Sequence, residues 1–295
     1  MKKSQKKVIV ITGTSSGFGK LSAFQLSLDG HQIYAGMRNP LGSNLETKSE
    51  LEQFAKDKNV FIKVIDLDIT DDKSVENAID AVAKEAGTID VLINNAGQMF
   101  VGVTEAFTIE DIKKQMDVNF FGSVRTDRAV LPYMKSKKSG LIIHVSSLSG
   151  RVVFPFFGVY SASKFAMEAY AEGFRYELSG LGIDSVIVQP GPFGTNLLGK
   201  SPEPSDKSRL EAYGALADVP DQMKTNFQAM YDGENAPIPQ DVADAIKALV
   251  DSDEKRPLRT VVMPRGMDFG VAKLNEGVTE VQNNLLKMLQ FDSMI

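Results

Sequence analysis

Residues 8–19 read VIVITGTSSGFG. The first five, Val8 to Thr12, are all β-branched, which favours an extended strand. They show no polar alternation, so the strand is covered on both faces, as in a parallel sheet. Gly13, Gly17 and Gly19 then fall in a turn that opens a helix-like stretch running to Leu28. Glycines there let the chain turn tightly, and they let backbone N–H groups approach an anion at the positive end of the helix. Strand, glycine-rich turn and helix make the opening of a dinucleotide-binding βαβ unit, although the spacing is TGxxxGxG rather than GxGxxG.

Outward from this turn the pattern repeats. QIYAG, VFIKVIDLDI (60–69), IDVLINNAG (89–97), LIIHVSS (141–147), IDSVIVQPG (183–191) and LRTVVMP (258–264) read as further buried strands. Helical stretches separate them. In SVENAIDAVAKEAG, Val75, Ile79, Val82 and Ala86 share one helical stripe. Long helices are predicted over about 109–138 and 159–179, and another over PQDVADAIKALVDS. Strands alternating with helices imply right-handed crossovers and an α/β, Rossmann-type, doubly wound three-layer sandwich, with a central, mostly parallel sheet of about seven strands. The segment 190–239 holds seven of the twelve prolines. This marks it as a substrate loop or lid within a single domain spanning 1–295, and 265–295 reads as a helical extension.

Composition narrows the chemistry. The 295 residues are 43% hydrophobic and 24% charged with a net charge of -5, so neither nucleic acid nor an acidic membrane is an expected partner. The basic start MKKSQKK is followed by an apolar run too short for a signal peptide or a membrane span. No cysteine is present, which excludes disulfides and thiolate sites and suits a cytoplasmic protein. The two histidines, His31 in a turn and His144 in a strand, have no G-x-S-x-G serine to serve, and no metal-ligand spacing is apparent. His31 reads as a solvated turn residue and His144 as a packed or hydrogen-bonded one.

The second strand ends QIYAGMRNP. Met37 stands where an NAD-type fingerprint has an acid, and Arg38 follows. A carboxylate there would repel a 2′-phosphate, whereas a guanidinium binds one. NADP(H) is therefore expected over NAD(H).

TGTSSGFG, NNAG (94–97), the Asn119 of VNFFG, VSS (145–147), YSASK (160–164) and PG (190–191) occur in one order. In that order they resemble the short-chain dehydrogenase/reductase family across about residues 7–265, and AGMR and PFFGVYSASKFAMEA resemble its steroid- and retinol-dehydrogenase-like members. The resemblance implies Tyr160 as acid/base, Lys164 as its activator, Ser147 as the hydroxyl that orients substrate, and Asn119 as the holder of a relay water. Ser146 competes with Ser147 for its role. The resemblance also implies cofactor contacts at Gly13, Ser15, Ser16, Gly17, Phe18, Gly19, Arg38, Asp68, Ile69, Asn95, Ala96, Gly97, Tyr160, Lys164, Pro190, Gly191 and Thr195. Asn94 would stabilise the sheet, and a homodimer or homotetramer is implied.

The chemistry asked of these groups is transfer of a hydride to a carbonyl carbon and a proton to its oxygen. A free phenol titrates near about 10, and a neighbouring ammonium lowers that value. Lys164, one turn beyond Tyr160, is expected to acidify it, with Ser161, Ala162 and Ser163 giving clearance to the cofactor. Asp68 could instead cap the following helix. FPFFG (154–158), Met99, Phe100, Phe193, Leu197 and Leu198 suggest a medium-sized hydrophobic ketone, aldehyde or secondary alcohol as small-molecule substrate. Arg151 excepted, no charged residue is obviously placed to read a substrate carboxylate. The competing readings are a redox-silent dinucleotide-binding regulator and an epimerase or dehydratase on the same fold.

Overall fold

The computed structural model describes residues 6–294. The first five residues of MKKSQKK and the last residue of the 265–295 extension lie outside the described residues. The first half runs β1 (Val8–Thr12), α1 (Gly17–Leu28), β2 (Gln32–Met37), α2 (Leu45–Lys58), β3 (Ile62–Asp66), α3 (Asp72–Ala86) and β4 (Val91–Asn94). It continues through α4 (Ile109–Met116), α5 (Gly122–Lys137), β5 (Gly140–Val145), α6 (Gly158–Ser179) and β6 (Ile183–Pro190). The remainder is α7 (Asn196–Gly199), α8 (Val219–Asp232), α9 (Gln240–Asp251), β7 (Arg259–Val262) and α10 (Val271–Met288).

The seven strands form one sheet in the order β3-β2-β1-β4-β5-β6-β7, and every pairing is parallel. The chain winds outward from β1 to β3, then returns to the other side of β1 as β4. That reversal opens a crevice at the carboxyl ends of β1 and β4, where ligands bind in sheets of this kind.

Alternate residues of each strand face opposite layers. On one side Ile9, Ile11 and Ile33 pack with Leu26 of α1 and Val242 and Ile246 of α9. On the other, Val10, Leu92 and Ile142 pack with Val75, Ile79 and Val82 of α3 and Met134 of α5. The five residues of β1 are all buried, each apolar side chain contributing roughly 1.5–3 kcal/mol from burial.

Three details differ from the sequence reading. The long helix over 109–138 is interrupted by a π-helical turn, Asp117–Phe121, which joins α4 to α5; such turns concentrate at functional sites. The cap of α3 is Asp71, whose carboxylate accepts from the Ser74 N–H at 2.6 Å. Asp68 instead bonds the N–H and hydroxyl of Thr70, at 2.9 and 2.7 Å, which leaves it facing the crevice. His31 is fully buried rather than solvated. Its Nδ1 accepts from the Lys7 N–H and its Nε2 meets Asp251 at 3.1 Å, so the ring pins the entry of β1 to the end of α9.

Among the described residues no helix is long and apolar enough to cross a membrane, and no cluster of His, Asp and Glu could hold a metal.

Candidate active site

The carboxyl ends of the strands enclose a cleft of about 660 Å³. Its outer half is built on the turn after β1. Thr12 Oγ1 accepts the N–H groups of Asn95 and Ala96, at 3.0 and 2.9 Å, and Asn95 Nδ2 donates back to the carbonyls of Thr12 and Gly13. The β1 and β4 turns are thereby locked together. Gly13 has φ +70°, and a Cβ there would stand 2.7 Å from Ala96 Cα. Gly19 does not line the cleft; a Cβ on it would lie 2.4 Å from Asn95 Nδ2. It therefore clears space for the lock rather than for a ligand.

Gly13, Ser15, Ser16, Gly17 and Phe18 do line the cleft. Ser16, at the N-cap of α1, makes no side-chain cap bond, and the first turn of α1 carries no acid. Those backbone donors and the helix dipole are left to an anion. Met37 and Arg38 form the next wall. Met37 is buried, and Arg38 is exposed with no ion pair among the described residues. Asp68 and Ile69 follow from the β3 turn, and Asn95, Ala96 and Gly97 from the β4 turn. Pro190, Gly191 and Thr195 close the wall beyond β6. A donor-lined turn at a helix N-terminus and a long cleft fit a dinucleotide.

At the inner end, α6 presents Tyr160 and Lys164, both buried. Lys164 Nζ lies 5.9 Å from the centre of the Tyr160 ring and donates to the Val145 carbonyl at 2.9 Å. Burial pushes the Tyr160 phenol up to about 12, and the Ser147 hydroxyl acts in the opposite direction. Burial lowers Lys164 to about 8, opposed by the Glu168 carboxylate. Burial therefore acts against the acidification of Tyr160 that the sequence reading expects, and the Lys164 ammonium is turned to a backbone carbonyl.

Ser147 lines the cleft and caps the short turn after β5, accepting from the Ser149 N–H at 3.1 Å. Ser146 also reaches the cleft, but its hydroxyl donates to Glu168 at 2.8 Å. Asn119 stands one layer behind the wall, in the π turn. It accepts from the Gln98 N–H at 2.8 Å and donates to the Gln98 carbonyl and to Ser163 Oγ, at 2.9 and 3.0 Å. The expected clearance by Ser161, Ala162 and Ser163 is absent, since none of them lines the cleft. Ser161 and Ser163 are buried in the helix packing and Ala162 is exposed.

Sequence reasoning missed Glu168. It is buried, one turn beyond Lys164, and accepts from Ser146, from Gln189 of β6 and from Arg259 of β7. Arg259 also bonds Glu172 at 2.6 Å, and Gln189 accepts from Asn275 of α10 at 2.7 Å. The available signal was a carboxylate four residues after the lysine on the same helical face. Asn94, as expected, stiffens the sheet from within: it donates to Asp127 at 2.7 Å and accepts from Thr126 at 2.6 Å.

The inner wall is apolar. Met99, Phe154, Phe157, Leu197 and Leu198 line it beside Phe193, and Phe227 and Tyr231 of α8 cover it. Two sequence expectations fail here. Phe100 packs away from the cleft, against Phe107 and Val159. Arg151 does not reach the cleft; its Nε donates to Asn275 at 3.0 Å.

Residues 7–206 match the family described as short chain dehydrogenase. A 3-ketodihydrosphingosine reductase of Bacteroides thetaiotaomicron is 36% identical over 261 residues, covering 88% of this chain and 89% of its own. Human retinol dehydrogenase 8 is 33% identical over 270 residues, covering 86% of this chain and 80% of its own. Among solved structures, a short-chain dehydrogenase from Streptomyces avermitilis superposes with a TM-score of 0.74 at 29% identity, covering 97% of each chain. An alcohol dehydrogenase from Thermococcus sibiricus complexed with 5-hydroxy-NADP shares the fold, with a TM-score of 0.71 at 23% identity, over 90% of this chain and 99% of that one.

Proposed function

The chain belongs to the short-chain dehydrogenase family of oxidoreductases, and from that premise we propose that it reduces a medium-sized hydrophobic ketone or aldehyde with NADP(H), or oxidises the matching alcohol. The observation that carries this reading is the shared cleft. One end is the donor-lined turn flanked by Arg38, and the other is the buried Tyr160 hydroxyl beside Ser147. The names and titles of several relatives point the same way, toward carbonyl or retinoid substrates and, in one solved structure, an NADP derivative.

When bound, the dinucleotide supplies the hydride. The chain does the rest. The turn after β1 and the N-terminus of α1 hold the pyrophosphate, and Arg38 takes the 2′-phosphate. Ser147 donates a hydrogen bond to the carbonyl oxygen as charge develops on it. Tyr160, protonated at neutral pH like any phenol and held further from ionisation by burial, gives that oxygen its proton. Lys164 stabilises the phenolate left behind, and Asn119 ties the turn after β4, at Gln98, to Ser163 of α6. The segment 190–239 acts as a lid that excludes water from the apolar wall.

Tyr160→Phe tests the assignment. The expected result is a loss of NADPH-dependent carbonyl reduction of roughly 10²–10⁴-fold with NADPH binding retained. Undiminished turnover in that variant would refute it. Binding of NADPH with no turnover of any carbonyl by the wild-type protein would favour the redox-silent reading.

A further inference from the structure

We infer that the Tyr231 hydroxyl is a substrate-binding donor, and that the cleft selects apolar ketones or aldehydes carrying a second neutral oxygen near the reacting carbonyl. This rests on the carbonyl-reductase reading above and specifies its substrate class.

Tyr231 sits on the last turn of α8 and faces the same cleft as Tyr160. It packs with the apolar cluster that holds Tyr160, Phe157 and Leu198. Its hydroxyl has no hydrogen-bond partner among the described residues. By contrast, Tyr34, Tyr133, Tyr176 and Tyr213 each donate to a carboxylate. Tyr231 is partly buried and lines the cleft, so its hydroxyl bonds whatever fills that cleft, solvent or substrate.

The ring is held by its neighbours within the 190–239 segment. It stacks on Phe227 with centroids 6.1 Å apart and planes 23° from parallel. Its Cβ rests against Gly194, where any added Cβ would stand 3.0 Å away. Glycine at 194 therefore lets α8 bring Tyr231 down onto the loop after β6. A phenol is a donor at neutral pH, and burial pushes this one further, up to about 12; its charge, if formed, would be felt at Tyr160.

Ser147 and Tyr160 are committed to the reacting oxygen, which leaves Tyr231 free for another. A plain ketone would cover this hydroxyl without satisfying it, whereas a hydroxyl, ester or second carbonyl oxygen would accept its proton. Sites built this way reject analogues that lack the polar group more strongly than they discriminate by size.

The experiment compares a β-keto ester with a plain ketone of equal heavy-atom count, in wild-type protein and in Tyr231→Phe. The expected result is a rise in KM for the β-keto ester of roughly fivefold to tenfold, the loss of one hydrogen bond, with the plain ketone changed less than twofold. Gly194→Ala, which lifts α8, should lose the same discrimination while Tyr231 remains. Equal effects of Tyr231→Phe on both substrates, or no effect on either, would overturn the inference. Wild-type protein that reduces neither ketone would instead defeat the carbonyl-reductase reading itself.

Discussion

Arg38 stands at the end of β2 with an exposed guanidinium, no ion pair among the described residues, and a backbone carbonyl tied by Asn44 Nδ2 at 2.6 Å. The backbone is therefore fixed while the side chain is free to bind. Its neighbour Met37 is buried where an acid would oppose a 2′-phosphate, and the closest paired acid of β3, Asp66, is occupied by the Asn39 N–H at 3.1 Å. Charge-assisted bonds to a phosphate contribute about 1.5–3 kcal/mol. Arg38→Ala should therefore raise KM for NADPH by roughly 10- to 100-fold and leave KM for NADH within twofold. Steady-state kinetics with both cofactors checks this. Parallel changes would mean that Arg38 supports the fold of the β2 turn rather than reading the phosphate.

At the scale of the element, α6 carries Tyr160, Lys164 and Glu168 at successive four-residue steps, so all three share one face. The helix is a line of charge as well as a scaffold. Glu168 holds the Ser146 side of the serine turn, anchors Arg259 of β7 and opposes the burial penalty on the Lys164 ammonium. Glu168→Gln keeps the shape and removes the charge. Lys164 then gives up its proton at lower pH, and the alkaline limb of the kcat/KM profile should move to lower pH. Glu168→Asp should move it back. A profile whose limb stays put would show Glu168 to be a packing residue only.

The same helix shows what a sequence discloses. Tyr160, Lys164 and the TGTSSGFG turn were legible because each lies within a few consecutive residues, where periodicity decides geometry. Glu168 was not. Its partners Gln189, Arg259 and Asn275 come from β6, β7 and α10, and nothing local marks them as neighbours. His31 was misread for the same reason, its partner Asp251 being 220 residues away. The burial of Tyr160 was not legible because a helical spacing reports which face a lysine shares but not how dry that face becomes.

The molecule as a whole responds to pH through a pair buried at the centre of the sheet. His144 on β5 and Asp127 on α5 are both fully buried, with Nε2 and Oδ2 3.9 Å apart and neither atom hydrogen-bonded. Desolvation and the Lys164 charge lower His144 to about 3, and desolvation holds Asp127 well above the carboxylate range, with only Asn94 acting against it. Tyr170 of α6 also faces Asp127. Both shifts favour the uncharged forms. His144, depressed in the fold, costs stability as pH falls below its unfolded value of about 6.5. Asp127, raised in the fold, contributes stability that is full below its unfolded value of about 4 and is lost as pH rises through its folded value. Lys164, depressed in the fold, works in the opposite sense above about 8, but it is common to any variant of the pair. Asp127→Asn mimics the protonated acid, can still accept from Asn94, and has no proton to lose. As pH rises from about 4 to about 9, its melting temperature should gain on that of the wild type, which alone loses the contribution of the neutral acid. Parallel melting curves across that range would mean that Asp127 is ionised in the folded protein, with a counter-charge supplied from elsewhere in the sheet.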